Sequence, residues 1–259
     1  MVAHAIYYKQ IYSYLGVIEA LSGMAVDVDW ISFDDVLNHG IDESIDVILN
    51  VGDANTAFSG GDIWQNPEVV TKIRQFVYEG KGFVGIGQPS FSDYQGRSFQ
   101  LADILGVDQE LGFSLSTDKH FNKVTKNHFI TKDITTFDFG ESMKNIYALN
   151  ENTEIIEYSN EEIHLSSHDY GQGRGVYLAG LPYSSTNSRL LLRALLYAAH
   201  KEDVETTAFT SNPNTELNGY KTHPLWALVN NTNDTQVTTL TLHGQTKEIT
   251  LSPAGIMWI

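Results

Sequence analysis

Two short stretches hold most of the side chains that could do chemistry. Asp53, Asn55 and Ser59 follow the apolar run Asp46–Val51, and Gln88, Ser90 and Asp93 follow the run Phe83–Ile86. In open α/β sheets, ligands sit at the loops beyond the carboxyl ends of strands, so these residues are candidates for one polar pocket at a sheet rim. Turn chemistry is the other reading, because Asp, Asn and Ser favour loops whatever they bind. A nucleophilic Ser90 requires a paired base and a Gly-x-Ser-x-Gly setting, and no such setting surrounds it. Arg97 lies between Tyr94 and Phe99. Its guanidinium fork could grip a neighbouring domain, a sugar or a phosphate group, or it could be a solvent-facing residue tied to a local carboxylate.

Two further patterns invite a functional reading and weaken on context. His164 and His168 stand four apart, a metal-ligand spacing on a helix. Their segment reads as strand and turn, which points the rings differently, and no third ligand is evident. Gly171-Gln172-Gly173-Arg174-Gly175 could cradle phosphate if it joined a strand to a helix. It leads into a strand instead, so a hairpin turn is expected. The 259 residues include no cysteine, which excludes disulfides, thiolate metal sites and a cysteine nucleophile. Neither a metal nor a cofactor is expected.

The elements that position these residues follow from periodicity. Ala3–Tyr8 predicts a first strand, Ser13–Gly23 a helix, Val26–Phe33 a second strand and Asp46–Val51 a third. Pro67 and Glu68 suit the start of a helix whose apolar positions are Val69, Val70, Ile73, Phe76 and Val77. Gly80 and Gly82 stop it. Phe83–Ile86 is an apolar run of the kind buried on both faces of a parallel sheet, Gly87–Ser90 is a turn, and a short helix from Gln100 closes at Gly106. From about Gly112 to Tyr170 the segments shorten, and strands at Glu154–Tyr158 and Glu162–Ser166 read as β-rich excursions on an α/β core. Gly175–Ala179 predicts another strand, and Asn187 or Ser188 caps a leucine-rich helix ending near His200. Strands alternating with helices imply parallel pairing. After Asp203 the composition shifts. Thr206–Gly219 reads as a linker, and Trp226–Val229, Val237–Leu242, Thr246–Leu251 and Ile256–Ile259 as short antiparallel strands. Two domains are therefore expected, 1–203 and 204–259.

Composition narrows the partners. Thirty-two acidic against 16 basic residues give a formal charge of −16, which argues against nucleic acid or an anionic membrane and reads as solubility. No stretch reaches the roughly 18 consecutive apolar residues of a membrane span. No basic leader with an apolar run opens the chain. The absence of cysteine is compatible with the cytoplasm. The start on a strand-like segment suggests a piece of a longer polypeptide.

The turn Gly85-Ile86-Gly87-Gln88-Pro89 resembles the nucleophile elbow, Gly-x-Cys-x-Gly, of class I glutamine amidotransferase-like domains, with Gly87 standing at the cysteine position. The His-Pro-Glu of that family has no counterpart in Gly180-Leu181-Pro182-Tyr183-Ser184. The resemblance implies a class I glutamine amidotransferase-like (flavodoxin-like) parallel sheet flanked by helices, followed by a small C-terminal antiparallel β-domain, with a degenerate elbow and no catalytic residue.

A wider resemblance covers nearly the whole chain. Asn50-Val51-Gly52-Asp53-Ala54, Phe58-Ser59-Gly60-Gly61 with Trp64, and Arg74-Gln75-Phe76-Val77-Tyr78-Glu79-Gly80 are its carriers. The strongest is Gln95-Gly96-Arg97-Ser98-Phe99-Gln100-Leu101-Ala102-Asp103-Ile104-Leu105-Gly106-Val107. Together they resemble the central and C-terminal regions of the lacto-N-biose phosphorylase (1,3-β-galactosyl-N-acetylhexosamine phosphorylase) family. That resemblance implies a parent enzyme that splits galactosyl-β-1,3-N-acetylhexosamine with inorganic phosphate, with inversion. It also implies a catalytic acid in an N-terminal TIM barrel, a homodimer, and no cofactor. A barrel takes about 250 residues of its own, which this chain has no room for. The expected role is then non-catalytic. Asp53, Asn55, Ser59, Gln88, Ser90 and Arg97 would face the barrel or the substrate. Two alternatives are a freestanding hydrolase or amidase using the strand-rim residues, and a carbohydrate-binding module, which an exposed Trp64 or Trp226 beside a shallow groove would favour.

Overall fold

The computed structural model describes residues 11–54, 56, 59–110, 124–220 and 222–259. The strand expected at Ala3–Tyr8 lies outside them. Helix α1 (Ile11–Ser22) comes first. Helix α2 (Phe33–His39) starts on a capping box, in which Asp35 N donates to Ser32 Oγ at 3.1 Å and Ser32 N donates to Asp35 Oδ2 at 2.9 Å. Between the helices, the strand expected over Val26–Phe33 does not form. Among the described residues, Val26–Ser32 has no ladder partner, and Val28, Trp30 and Ile31 are exposed.

Strand β1 (Val47–Gly52) is followed by a 3₁₀ turn at Gly61–Gln65 and by helix α3 (Pro67–Tyr78), whose N-cap Asn66 accepts from Glu68 N at 2.9 Å. Strand β2 (Gly82–Gly87) is buried along its whole length. A hairpin of β3 (Phe91–Tyr94) and β4 (Arg97–Phe99) leads to the short helix α4 (Ala102–Leu105), which Gly106 ends at φ +71°. Strand β5 (Val107–Gln109) pairs with β6 (Ile146–Ala148). Then come β7 (Glu154–Ser159), β8 (Glu162–Tyr170), β9 (Gly173–Leu178) and helix α5 (Ser185–Ala198).

The main sheet runs β1-β2-β9-β8-β7 and corrects the expected fold class. Among the described strands of this sheet, β1–β2 and β2–β9 are parallel, while β9–β8 and β8–β7 are antiparallel. The sheet is mixed, not the flavodoxin-like parallel sheet of an amidotransferase. The cause lies in the connections. Asn160 and Glu161 both take positive φ (52° and 63°) in a two-residue turn between β7 and β8, and Gly171 does so at 63° between β8 and β9. Tight turns return the chain antiparallel, whereas helical crossovers return it parallel. The strands read as excursions are part of the central sheet itself, and the glycine-rich Gly171–Gly175 is the hairpin turn its context suggested.

Both faces of the sheet are covered. On one, Phe83, Tyr177 and Ile155 pack with Val69, Ile73 and Val77 of α3 and with Ile104 and Leu105 of α4. On the other, Val84, Ile86, Val176 and Leu178 pack with Val17 and Ala20 of α1 and with Leu190, Leu191 and Ala194 of α5. Among the described residues, no helix is long and apolar enough to cross a membrane.

The stretch expected as a linker contains helix α6 (Val204–Thr207), strand β10 (Ala208–Thr210) and strand β11 (Thr215–Gly219). Its threonines are β-branched and suit strands as well as loops. Strands β12 (Trp226–Asn230), β13 (Gln236–Leu242), β14 (Gln245–Leu251) and β15 (Ile256–Trp258) complete two antiparallel sheets, β10-β13-β14 and β11-β12-β15. Leu228, Leu240, Ile249 and Leu251 form their small core.

Helix α5 carries the joint to these sheets. Arg189 Nη1 donates to Thr210 O at 2.8 Å, and its guanidinium lies 4.2 Å from the centre of the Phe209 ring. Arg193, only 1% exposed, donates from Nε to Glu205 Oε1 at 2.5 Å. Nearby, burial pushes the Glu216 carboxyl up to about 7, against the opposing pull of Asn231 and Arg189. A folded pKa above the unfolded value of 4.5 means the folded state holds its proton longer. Stability is therefore complete at low pH and declines as pH rises from about 4.5 to 7. Glu216→Gln is expected to be neutral at pH 4.5 and to stabilise the protein by about 2 kcal/mol at pH 8, read from urea midpoints. Equal effects at both pH values would contradict the assignment.

Candidate functional site

The rim at the carboxyl ends of β1 and β2 is built around Asn50. Its side chain accepts from Ser90 N at 3.0 Å and donates to Ser59 O at 3.2 Å, clamping the two loops together. Ser59 O also accepts from Trp64 Nε1 at 2.5 Å. Trp64 is 1% exposed, so it offers no stacking platform. The Asp53 carbonyl accepts from Thr56 Oγ1 at 2.8 Å and from the Ser59 hydroxyl. Gln88 accepts from Ala54 N at 3.0 Å and donates to Gln109 Oε1 at 2.7 Å. Gly87 ends β2 at φ +78°, and its carbonyl accepts from Tyr177 Oη at 3.0 Å. Burial drives the Tyr177 phenol well above its usual range, so it stays a neutral donor.

Asp53, Ser59, Gln88 and Ser90 are thus brought together, as the strand ends suggested, and Asn55 lies outside the described residues. What they do differs from a reactive pocket. Ser90 is fully buried, its Oγ accepts from Leu101 N at 3.1 Å, and its carbonyl accepts from Gln100 N at 2.9 Å. A hydroxyl held in this way by backbone groups is a brace for the chain.

What the rim braces is the β3–β4 hairpin. Asp93, Tyr94, Gln95, Gly96 and Arg97 form its exposed tip, turned by Gln95 at φ 52° and Gly96 at φ 74°. Gln100 Nε2 donates to the carbonyls of Ser92 (2.6 Å), Tyr94 (3.3 Å) and Arg97 (3.3 Å). The Asp108 carboxylate accepts from Phe99 N at 2.7 Å and Gln109 N at 2.8 Å. Burial raises the Asp108 pKa, partly offset by these N–H donors. Arg97 stands on the tip beside Tyr94, and both residues are exposed.

Asn50, Gln100 and Asp108 escaped the sequence reading. The available signal was a polar residue inside an apolar run in the case of Asn50, and an acid directly after Gly106-Val107 in the case of Asp108. Gln100→Ala leaves three carbonyls without their shared donor. The expected outcome is a loss of about 2 kcal/mol, with faster amide exchange confined to residues 91–99. Unchanged exchange in the hairpin would remove Gln100 from this role.

His164 and His168 do not meet. They lie on β8, where a four-residue step spans roughly 13 Å. The His164 ring stacks on Phe139 at 4.9 Å, and burial lowers the pKa of both imidazoles. Among the described residues, no group of three or more His, Cys, Asp or Glu could hold a metal ion.

Comparison with known proteins gives this arrangement its context. Residues 1–203 match the model of the lacto-N-biose phosphorylase central domain, and residues 209–259 that of the lacto-N-biose phosphorylase C-terminal domain. A 1,3-beta-galactosyl-N-acetylhexosamine phosphorylase of Bifidobacterium longum is 44% identical over 99% of the chain, which covers 39% of that protein. A Lachnoclostridium phytofermentans protein of the same name is 47% identical over 93% of the chain and 33% of its own length. The chain thus spans between a third and two fifths of these relatives. Among solved structures, a beta-galactosidase from Rahnella sp. R3 aligns over 96% of the chain and 36% of its own length, with a TM-score of 0.51 and 15% identity, a likeness of fold alone. The mixed sheet, the rim and the hairpin lie in the part that matches the central domain, and this chain belongs to the lacto-N-biose phosphorylase family.

Proposed function

We propose that this chain is the non-catalytic portion of an inverting disaccharide phosphorylase. The parent reaction joins phosphate and β-1,3-galactosyl-N-acetylhexosamine to give α-galactose 1-phosphate and N-acetylhexosamine. Its catalytic acid resides in a barrel outside this chain, against which the central domain packs, and the assembled enzyme is a dimer. The observation that carries this reading is the use of the strand rim. Asn50 and Ser90 bond backbone groups of the rim, Ser59 O takes the Asn50 amide, Gln88 bonds Ala54 N and the Gln109 side chain, and together they hold a hairpin with Tyr94 and Arg97 at its tip. Tyr and Arg are the residue types that anchor interfaces, and a pre-ordered hairpin gives up little freedom on docking. The hairpin forms one wall of the active-site mouth. Purified chain incubated with lacto-N-biose and phosphate is expected to release no galactose 1-phosphate, and release above a boiled control overturns the reading.

One observation favours a second role alongside the first. A shallow groove of about 760 Å³ in the C-terminal sheets is lined by Tyr220, Thr222, His223, Trp226, His243 and Ile259. Aromatic walls with a few polar groups suit a neutral sugar. Titration with galactose and N-acetylglucosamine, followed by tryptophan fluorescence, tests it. An unchanged spectrum at millimolar sugar rules it out.

A further inference from the structure

At the end of the main sheet opposite the rim, His128 is buried, at 8% exposed. Its Nδ1 accepts from Ile130 N at 3.1 Å, which caps a 3₁₀ turn (Phe129–Thr131). Thr131 N donates to His128 O at 3.1 Å and closes the turn. An accepting nitrogen carries no proton, so the neutral ring holds its hydrogen on Nε2, 3.6 Å from Glu154 Oε2. Ile130 is fully buried, and with Phe129 and Ile134 it packs among Leu190, Leu191 and Ala194 of α5. Residues 128–134 therefore form a strap laid over α5. The far end is fastened separately, because Arg193 Nη1 donates to Lys132 O and Arg193 Nη2 lies 3.5 Å from Asp133 Oδ2.

Among the described residues, the charged and titratable groups around this ring are Glu154 of β7, Arg174 of β9, Tyr197 of α5 and Glu202 just beyond α5. The Tyr197 ring meets the imidazole edge-on at 4.7 Å, and the Arg174 guanidinium covers Tyr197 at 4.2 Å. Arg174 is held by Glu202 at 2.5 Å and lies 3.8 Å from Asp169 of β8. Burial lowers the His128 pKa from its usual 6.5, Glu154 pulls it the other way, and Arg174 adds to the lowering. With the folded pKa below the unfolded one, the contribution of the neutral ring is complete above 6.5 and is lost as pH falls.

We propose that His128 is a pH-sensitive latch: the neutral ring fastens the near end of the strap, and the imidazolium releases it. A proton taken from solvent onto Nδ1 removes the lone pair that Ile130 N uses. Two N–H groups then face each other in a buried place. Turning the ring over sets a carbon against Ile130 N and restores no acceptor. Glu154 can take up the new charge beside Nε2, yet it returns nothing to the turn. A buried donor without a partner is costly, so the turn opens. Opening stops at Lys132, which Arg193 holds. His164 on β8 is buried too, but its Nε2 faces Ser159 O at 3.1 Å, a contact that an imidazolium keeps.

Amide hydrogen exchange of the whole chain at about pH 8 and about pH 5 tests the latch, each rate being referred to its unstructured value. At the lower pH, Ile130 and Thr131 are expected to lose about tenfold in protection relative to β2 and β9. His128→Asn places Oδ1 where Nδ1 stood, an acceptor that does not titrate. In that variant, the protection of Ile130 relative to β2 is expected to be the same at both pH values. Constant protection in the unsubstituted chain, or an equal loss in the variant, overturns the proposal. The ring itself gives a second reading that needs no variant. Nitrogen NMR is expected to show the Nε2–H form at the higher pH, and a protonation that runs in step with the loss at Ile130. An Nδ1–H form at the higher pH, or a ring still neutral where Ile130 opens, overturns it as well.

Discussion

Glu205→Ala is expected to be among the most damaging single substitutions in this protein. It strips the carboxylate from Arg193, whose side chain is 1% exposed. Breaking a buried pair by removing one partner costs about 3–5 kcal/mol, because a charge is left uncompensated at low dielectric. The remaining contacts of Arg193, to the Lys132 carbonyl and to Asp133 at 3.5 Å, offset only part of this. For a chain of this size the thermal midpoint should fall by roughly 10 °C. Arg193→Met combined with Glu205→Leu replaces the pair with apolar groups of similar bulk, and should recover most of the loss. A single substitution costing less than about 1 kcal/mol, or a double variant no better than the single, would show that the pair is not what holds α5 to α6.

Gly175→Ala is the second. The methyl group would sit 2.1 Å from the Ile104 carbonyl oxygen and 2.7 Å from its carbon, both backbone atoms of α4. No rotamer relieves a clash between a strand and a helix backbone, so α4 must move. Overpacking of this kind costs about 3 kcal/mol. The displacement should also reach the hairpin, because α4 begins two residues after Gln100, which pins its base. Gly96→Ala provides the contrast. Its φ is +74°, but a methyl there meets nothing within 4 Å, so only the left-handed backbone is penalised, at about 1 kcal/mol. Chemical denaturation of the two variants separates crowding from backbone preference. Equal costs would contradict the packing of β9 on α4.

Much of this architecture is legible in the sequence, and the exceptions have physical causes. Pro67 and Glu68 announce α3, the apolar run Phe83–Ile86 announces β2, and the leucines of α5 announce a helix on the core. Each depends on short-range signals: caps, periodicity and burial. The direction of β8 depends on Asn160 and Glu161, neither of them glycine, taking a left-handed turn that composition does not advertise. Val26–Ser32 has the alternation of a strand, yet alternation supplies no partner, and among the described residues the segment has none. The rim residues Asp53, Ser59, Gln88 and Ser90 were visible because polar groups after apolar strands stand out. Their engagement with backbone was not, since it depends on Asn50 reaching across from the strand itself.

The joint made by α5 has a consequence for how the molecule melts. Among the described residues, the core of the C-terminal sheets is a cluster of four buried aliphatic residues, Leu228, Leu240, Ile249 and Leu251, too few to hold a lobe of that size closed alone. Arg189 lends its donors to the Thr210 and Asn212 carbonyls and its flat face to Phe209, so the lobe borrows its order from a helix of the larger body. A calorimeter should therefore record one endotherm. A protease should find no point at which the lobe opens while the rest of the chain stays shut.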